Sequence, residues 1–288
     1  MSTPPPTCPC ASLCRDTPAP AHLPLPPLPS RSDVWLDRPD TLRNLEKLFG
    51  AFQGLVRMPL AFVLAGDFLS NASTSHVLPA PHALRSALGA LGQVIAKFPR
   101  VAEESRIVLV PGPNDLGPGN VLPRPPLAAS LLSELEAFAA VEATTNPCRI
   151  RYADKELVVF RDDLQHKMRR MCLLTPHGDP TKTDEEENEM FESMVSTQLR
   201  QSHVCPLPLS VQPVMWDHDH ALRLYPLPDA LVMADRTDAA HATVGDDPDA
   251  ATRCMNPGSF GATGTFVCYL PNAGEGGEVE VSQVTADE

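Results

Sequence analysis

Four short segments of this 288-residue chain carry residues that could do chemistry. They are Asp33-Val34-Trp35, Gly66-Asp67, Pro113-Asn114-Asp115 and Ala234-Asp235-Arg236-Thr237, and the last three each close an apolar run. Carboxylates and carboxamides at strand ends suit divalent cations, and two cations bridged by an aspartate activate water against a phosphoester. That chemistry also calls on histidine to complete the ligand set. Asn114 is available, but none of the four segments contains a histidine. Asp33 and Asp67 alone are too few ligands for a metal pair. Both are predicted to cap helices or bond loop amides, and neither a metal nor another cofactor is expected.

The elements that must position these residues read as an α/β pattern. Ile107 to Val110 is an all-apolar run with three β-branched residues, predicting a strand buried on both faces, and Pro111-Gly112-Pro113 ends it abruptly. Leu60 to Ala65 is a second such run. Helices are predicted from the spacing of Leu42, Leu45, Phe49 and Phe52 after Pro39, and of Leu84, Leu88, Leu91 and Ile95 before Pro99. A short Leu-rich helix is expected to about Val141. Strand, helix, strand, helix, strand in this order predicts a parallel sheet with loops at the strand ends.

The second half is less regular. Arg149 to Tyr152 and Leu157 to Phe160 predict paired strands, and a helix follows from Asp163 towards Met171. A further helix is expected near Met190 to Gln201, with strands at Leu209 to Val214, Ala230 to Met233, Arg253 to Met255 and Thr265 to Tyr269. Residues 1–30 are Pro-rich with little to bury, which predicts a disordered or polyproline-like tail. That composition removes the strand that would normally end at Ser32-Asp33, or else the true chain starts further upstream. The acidic run at 177–189 reads as a solvated loop insertion in a domain spanning 31–272, and 273–288 as a frayed acidic tail.

Composition narrows the function classes. A net charge of -13 argues against a large electrostatic grip on nucleic acid. No apolar run reaches the roughly 18 residues of a membrane span. With no basic-then-apolar leader, secretion is not expected. Cys148, Cys172, Cys205, Cys254 and Cys268 therefore read as reduced, mostly buried thiols, and Cys8, Cys10 and Cys14 lack the usual zinc-site spacing. Trp216-Asp217-His218-Asp219-His220 resembles a metal-binding run, yet on a strand its histidines and aspartates would face opposite ways. It is predicted to be a surface loop or edge. Asn71-Ala72-Ser73 reads as a chance glycosylation sequon, and Lys167 to Arg170 as a solvated helix face.

Dinuclear metallophosphoesterases carry loops Asp-x-His, Gly-Asp-x-x-Asp, Gly-Asn-His, a single His and Gly-His-x-His. The candidates here come in the same order, with Trp35 for the first His, Ser70 for the second acid and Pro113-Asn114 for Asn-His. Longer motifs sharpen the likeness. Val110-Pro-Gly-Pro-Asn-Asp115, Gly119-Asn-Val-Leu-Pro-Arg-Pro-Pro-Leu127, Thr144-Thr-Asn-Pro-Cys-Arg-Ile-Arg-Tyr152 and Val159-Phe-Arg-Asp-Asp-Leu164 resemble the B-subunit family of DNA polymerase epsilon. So do His203 to Leu209, Ala221 to Asp229 and Asn256 to Phe260. The resemblance covers about residues 32 to 270 and is closer than that to the B subunits of polymerases alpha and delta.

The resemblance implies an inactivated calcineurin-like phosphoesterase fold, a β-sandwich flanked by helices, in a nuclear protein of DNA replication and repair. It implies a scaffold that binds the C-terminal domain of the polymerase catalytic subunit, with further polymerase and helicase subunits as partners. DNA contacts are expected only weakly or through the complex, and none with a membrane. Asn120, Leu122, Pro123, Arg124, Pro206 and Leu207, from two Pro- and Leu-rich stretches, are the partner-binding candidates. The family also has upstream helical and oligonucleotide-binding-type domains with no counterpart here. Two competing readings are a residual metal-dependent phosphodiesterase and a stand-alone nucleic-acid binder. Bound metal would favour the first, and steep salt dependence of DNA affinity the second.

Overall fold

The computed structural model describes residues 28–70, 80–118, 120–138, 140–172, 184–245, 251–273 and 276–284. The expected tail over 1–27, with Cys8, Cys10 and Cys14, lies outside them, as do the sequon and residues 177–183. Strand β1 (Leu28–Arg31) leads to α1 (Pro39–Gln53), β2 (Ala61–Ala65), α2 (Pro81–Ala96), α3 (Pro99–Glu104) and β3 (Arg106–Val110). Then come β4 (Val141–Ala143), β5 (Cys148–Tyr152), β6 (Lys155–Arg161), α4 (Leu164–Met171) and α5 (Asp184–Arg200). Strands β7 (Ala230–Ala234), β8 (Ala240–Val244) and β9 (Thr252–Asn256), the short α6 (Phe260–Thr263), β10 (Thr265–Leu270) and β11 (Glu278–Gln283) complete the described chain.

Two sheets result. One runs β11-β10-β1-β2-β3-β4 and the other β5-β6-β7-β9-β8. The step from β1 through β4 is parallel throughout, and β6, β7 and β9 are also parallel. Side chains alternate along each central strand, and the alternation sorts them by size. On β2 and β3, Phe62, Leu64, Ile107 and Leu109 point to the helices α1 and α2, where Leu45, Phe49, Leu88 and Ile95 meet them. The opposite face carries Ala61, Val63, Ala65, Val108 and Val110, which pack against Val159, Ala230, Val232 and Ala234 of the second sheet. Small residues between the sheets let the two backbones approach. Beyond the second sheet, Val158, Phe160, Leu231 and Met233 pack on Phe191, Met194, Val195 and Leu199 of α5. The order is helices, sheet, sheet, helix, with the C-terminal ends of β1, β2, β3, β6 and β7 delivering the candidate residues.

Several sequence expectations are corrected. The opening strand is present despite its proline: β1 pairs with β2 through Ser30–Val63 and Arg31–Leu64, both beyond Pro29, so the sheet begins before residue 31. Proline is tolerated near a strand's start. The Leu-rich stretch makes two single 3-10 turns, Ala129–Leu131 and Ser133–Leu135, and then strand β4 rather than a helix. Residues 184–189 of the acidic run are helical, since α5 starts at Asp184. Leu209 to Val214 forms turns and a single bridge instead of a strand. The acidic C-terminal segment is paired rather than frayed over Glu278–Gln283: β11 runs antiparallel to β10 over six registered pairs.

Candidate functional site

The sequence candidates do converge. Asp33 and Asp67 are fully buried at the ends of β1 and β2, Asp115 follows β3 and Asp235 follows β7. Asp67 is held from three sides. Its Oδ1 accepts from the Asn114 backbone N–H at 3.0 Å, and its Oδ2 accepts from Asn114 Nδ2 at 2.7 Å and Arg236 Nη2 at 2.6 Å. Asp33 sits in the left-handed region with φ 49° and accepts from Arg161 Nη2 at 2.6 Å and from the Asp67 N–H at 3.3 Å. Trp35 is half-buried and takes no part in this cluster. It lies under the Arg38 guanidinium, 4.8 Å from its ring centroid, and against Gly261.

Asp115 is a loop fastener. Its two oxygens accept from the N–H groups of Phe68 and Gly112, each at 2.8 Å, and so join the β2 and β3 loops. Burial, with the Asp67 charge beside it, pushes its pKa up to about 7. Asp235 accepts from the Gln165 and Thr237 N–H groups at 2.8 and 3.2 Å, tying α4 to the β7 loop, and burial raises its pKa too.

Sequence reasoning missed the residues that complete the cluster. Arg161, the last residue of β6, is fully buried and donates to Asp33, Asp163, the Gly66 carbonyl and the Ala234 carbonyl. Asn146 donates to the Pro111 and Arg161 carbonyls, and Asn256 accepts from the Asp235 and Gly258 N–H groups. The signal for Arg161 was present: it closes the apolar run Leu157 to Phe160, as Asp67 and Asp235 follow theirs. The donor set does not suit a metal pair, because two guanidinium groups already stand among the aspartates.

The partner-binding candidates divide by burial. Asn120 is exposed, and Pro123, Pro206 and Leu207 are half-buried. Leu122 is fully buried, its N–H donating to the Pro213 carbonyl and its carbonyl accepting from the Met215 N–H. Arg124 is buried as well. It pairs with Asp162 at 2.9 Å, and Lys167 reaches the other Asp162 oxygen at 2.5 Å and Gln212 at 2.7 Å. Lys167 is therefore part of an interior network, whereas Arg169 and Arg170 remain exposed as expected. Removing one partner of a buried ion pair leaves the other uncompensated, so Arg124→Met is expected to cost about 3–5 kcal/mol. Urea unfolding measures this, and a loss well under 1 kcal/mol would show that Lys167 alone satisfies Asp162.

Trp216–Leu222 is a 3-10 turn, exposed over Trp216 to His218 and anchored by the buried Leu222, the surface element expected. Asp219 is spent on Arg223 and His203, at 3.0 and 3.4 Å. Among the described residues, no group of three or more His, Cys, Asp or Glu could hold a metal ion, and no helix is long and apolar enough to cross a membrane. Cys148, Cys205, Cys254 and Cys268 are buried and Cys172 is exposed.

Comparison with known proteins places this architecture. The chain is 41% identical over 245 residues to the B subunit of DNA polymerase epsilon from Arabidopsis thaliana, covering 85% of this chain and 44% of that protein. It is 39% identical over 243 residues to DNA polymerase epsilon subunit 2 of Homo sapiens, covering 84% and 43%. With the DNA polymerase epsilon B subunit of Schizosaccharomyces pombe it shares 29% over 220 residues, covering 73% and 37%. The chain thus spans less than half the length of these relatives. The family model for the DNA polymerase alpha/epsilon B subunit matches residues 30–242, which runs from within β1 into β8 and takes in the whole carboxylate cluster, and the chain belongs to that family.

Proposed function

We propose that this chain acts as a noncatalytic accessory subunit of a DNA polymerase epsilon assembly in the nucleus, serving chromosomal replication and repair. In this reading its two stacked sheets are a calcineurin-like phosphoesterase fold that has lost its chemistry. It works as a scaffold for the C-terminal domain of the catalytic subunit, and through it for further polymerase and helicase subunits. The names of the relatives support the assembly, since each is a subunit of DNA polymerase epsilon. One observation carries the noncatalytic half of the reading: the strand-end cluster holds aspartates, asparagines and arginines but no histidine. Nothing in it could complete a metal pair, and Asp115, the carboxyl raised towards neutral pH, has both oxygens engaged by the Phe68 and Gly112 N–H groups.

Two measurements test the proposal. Purified protein with manganese and a chromogenic phosphodiester is expected to show no turnover above buffer. Turnover that vanishes on Asp67→Ala would replace the scaffold by a residual phosphodiesterase. Co-expression with the C-terminal domain of the polymerase epsilon catalytic subunit is expected to give co-elution on size-exclusion chromatography and a higher melting temperature, because a partner that binds only the folded state stabilises it by mass action. Separate elution with unchanged melts would sink the partner assignment.

A further inference from the structure

The two arginines and two of the aspartates form a closed alternation of charge. Arg161 Nη2 lies 2.6 Å from Asp33 Oδ1 and 3.8 Å from Asp67 Oδ2. Arg236 places Nη2 2.6 Å from Asp67 Oδ2 and Nε 3.4 Å from Asp33 Oδ2. Each guanidinium therefore faces both carboxylates, and each carboxylate faces both guanidiniums. Asp163 joins from the rim, 2.8 Å from Arg161 and 3.6 Å from Arg236.

The origin of the four residues gives the arrangement its mechanical meaning. Asp33 and Asp67 follow β1 and β2 of the first sheet, while Arg161 and Arg236 come from the ends of β6 and β7 of the second. The charges alternate across the gap between the sheets, at the end where Ala65 and Ala234 leave little side-chain volume. Two cations bridged by carboxylates would follow the same charge plan. We propose that Arg161 and Arg236 replace such a metal pair as built-in counter-ions, turning a hydrolytic centre into a permanent clamp between the two sheets.

Burial explains why the clamp must be complete. Asp33, Asp67 and Arg161 are fully buried, and a buried ion without its partner is strongly destabilising. Asp33 Oδ2 receives no hydrogen bond, so the Arg236 guanidinium opposite is its counter-charge. Arginine suits the role because it stays protonated and presents a fork of donors that no chelator can remove. Asp115, Asn114 and Asn146 then fix the loops around the clamp through backbone bonds. The clamp belongs to the chain alone and does not depend on the partner proposed above.

Thermal melts and a mutant cycle on the full chain test this. The wild-type melting temperature is expected to be unchanged by EDTA or by millimolar manganese(II). Arg161→Ala/Arg236→Ala is expected to melt lower, and millimolar manganese, but not sodium chloride of equal ionic strength, is expected to restore part of the loss. A wild-type melt raised by manganese, or a folded double variant indifferent to it, would overturn the clamp. If that variant does not fold, the cycle of Arg236→Met and Asp67→Asn decides, since Arg236 is one-third exposed and its loss is the milder one. The two changes are expected to be coupled by about tenfold in the unfolding equilibrium constant, whereas additive effects would refute the clamp. Loss of coupling would leave the accessory role intact, and failed co-elution would leave the clamp intact.

Discussion

Arg31→Met is expected to make the protein more stable, by about 3 kcal/mol or more. Arg31 is the last residue of β1, fully buried, and none of its three guanidinium nitrogens has a hydrogen-bond partner. Its guanidinium is caged by Phe49, Phe62, Phe260 and Phe266, whose ring centroids lie 5.4 to 5.9 Å from Cζ. Cation–π attraction returns about 2 kcal/mol when desolvated, less than the cost of burying an unpaired charge. Burial accordingly pulls the pKa down from the usual arginine range to about 9. Because the folded state holds this proton less tightly than the unfolded chain, the penalty is complete below about pH 9 and fades as pH rises above it towards the ordinary arginine range. Methionine keeps the unbranched stem, removes the charge and places a polarizable sulfur among the four rings. Urea unfolding at neutral pH measures the gain. Arg31→Ala should gain less, since it leaves a cavity. A destabilised Arg31→Met would show that the guanidinium is paired after all.

Arg31 also shows where sequence reasoning stops. An arginine between Ser30 and Ser32, after a run of prolines, carries no local signal of a central strand. Only the ladders to Val63 and Leu64 on one side and to Val267, Cys268 and Tyr269 on the other make it one. The central strands were legible because burial on both faces demands unbroken apolar runs, as in Phe62 to Ala65 and Ile107 to Val110. Helices α1 and α2 were legible because one face alone is apolar. Strands β4, β8 and β11 were not: Val141-Glu142-Ala143 is too short to show a period, and Glu278 and Glu280 read as a tail until β10 supplies a partner. In the site, the aspartates were found because strand ends in α/β sheets are where polar groups gather. Their arginine partners come from the other sheet, 128 and 169 residues away in sequence, and no spacing rule connects them.

Gly66→Ala is expected to abolish folding or to cost more than about 4 kcal/mol, the range reserved for severe steric or buried-charge faults. Gly66 directly follows β2 and is wedged between the β3 loop and the carboxylate cluster. Its N–H donates to the Val110 carbonyl at 2.8 Å, and its own carbonyl accepts from Arg161. A Cβ here would stand 1.9 Å from Asp115 Oδ2 and 2.6 Å from the Gly112 nitrogen. The side-chain collision could be relieved by moving Asp115, at the cost of its bonds to Phe68 and Gly112, but the collision with backbone could not. Gly112 faces the same approach from the other side, its Cβ falling 2.8 Å from the Gly66 carbonyl carbon, so Gly112→Ala should fail in the same way. Gly117 is the control, because nothing lies within 4 Å of its Cβ and alanine there should leave stability within about 0.5 kcal/mol. Soluble yield, far-UV circular dichroism and urea unfolding compare the three. Pairing Gly66→Ala with Asp115→Ala should not restore folding, since the backbone contact remains. A Gly66→Ala protein that unfolds at the wild-type urea midpoint would mean that the β2 and β3 loops do not meet as closely as the shared carboxylate of Asp115 requires.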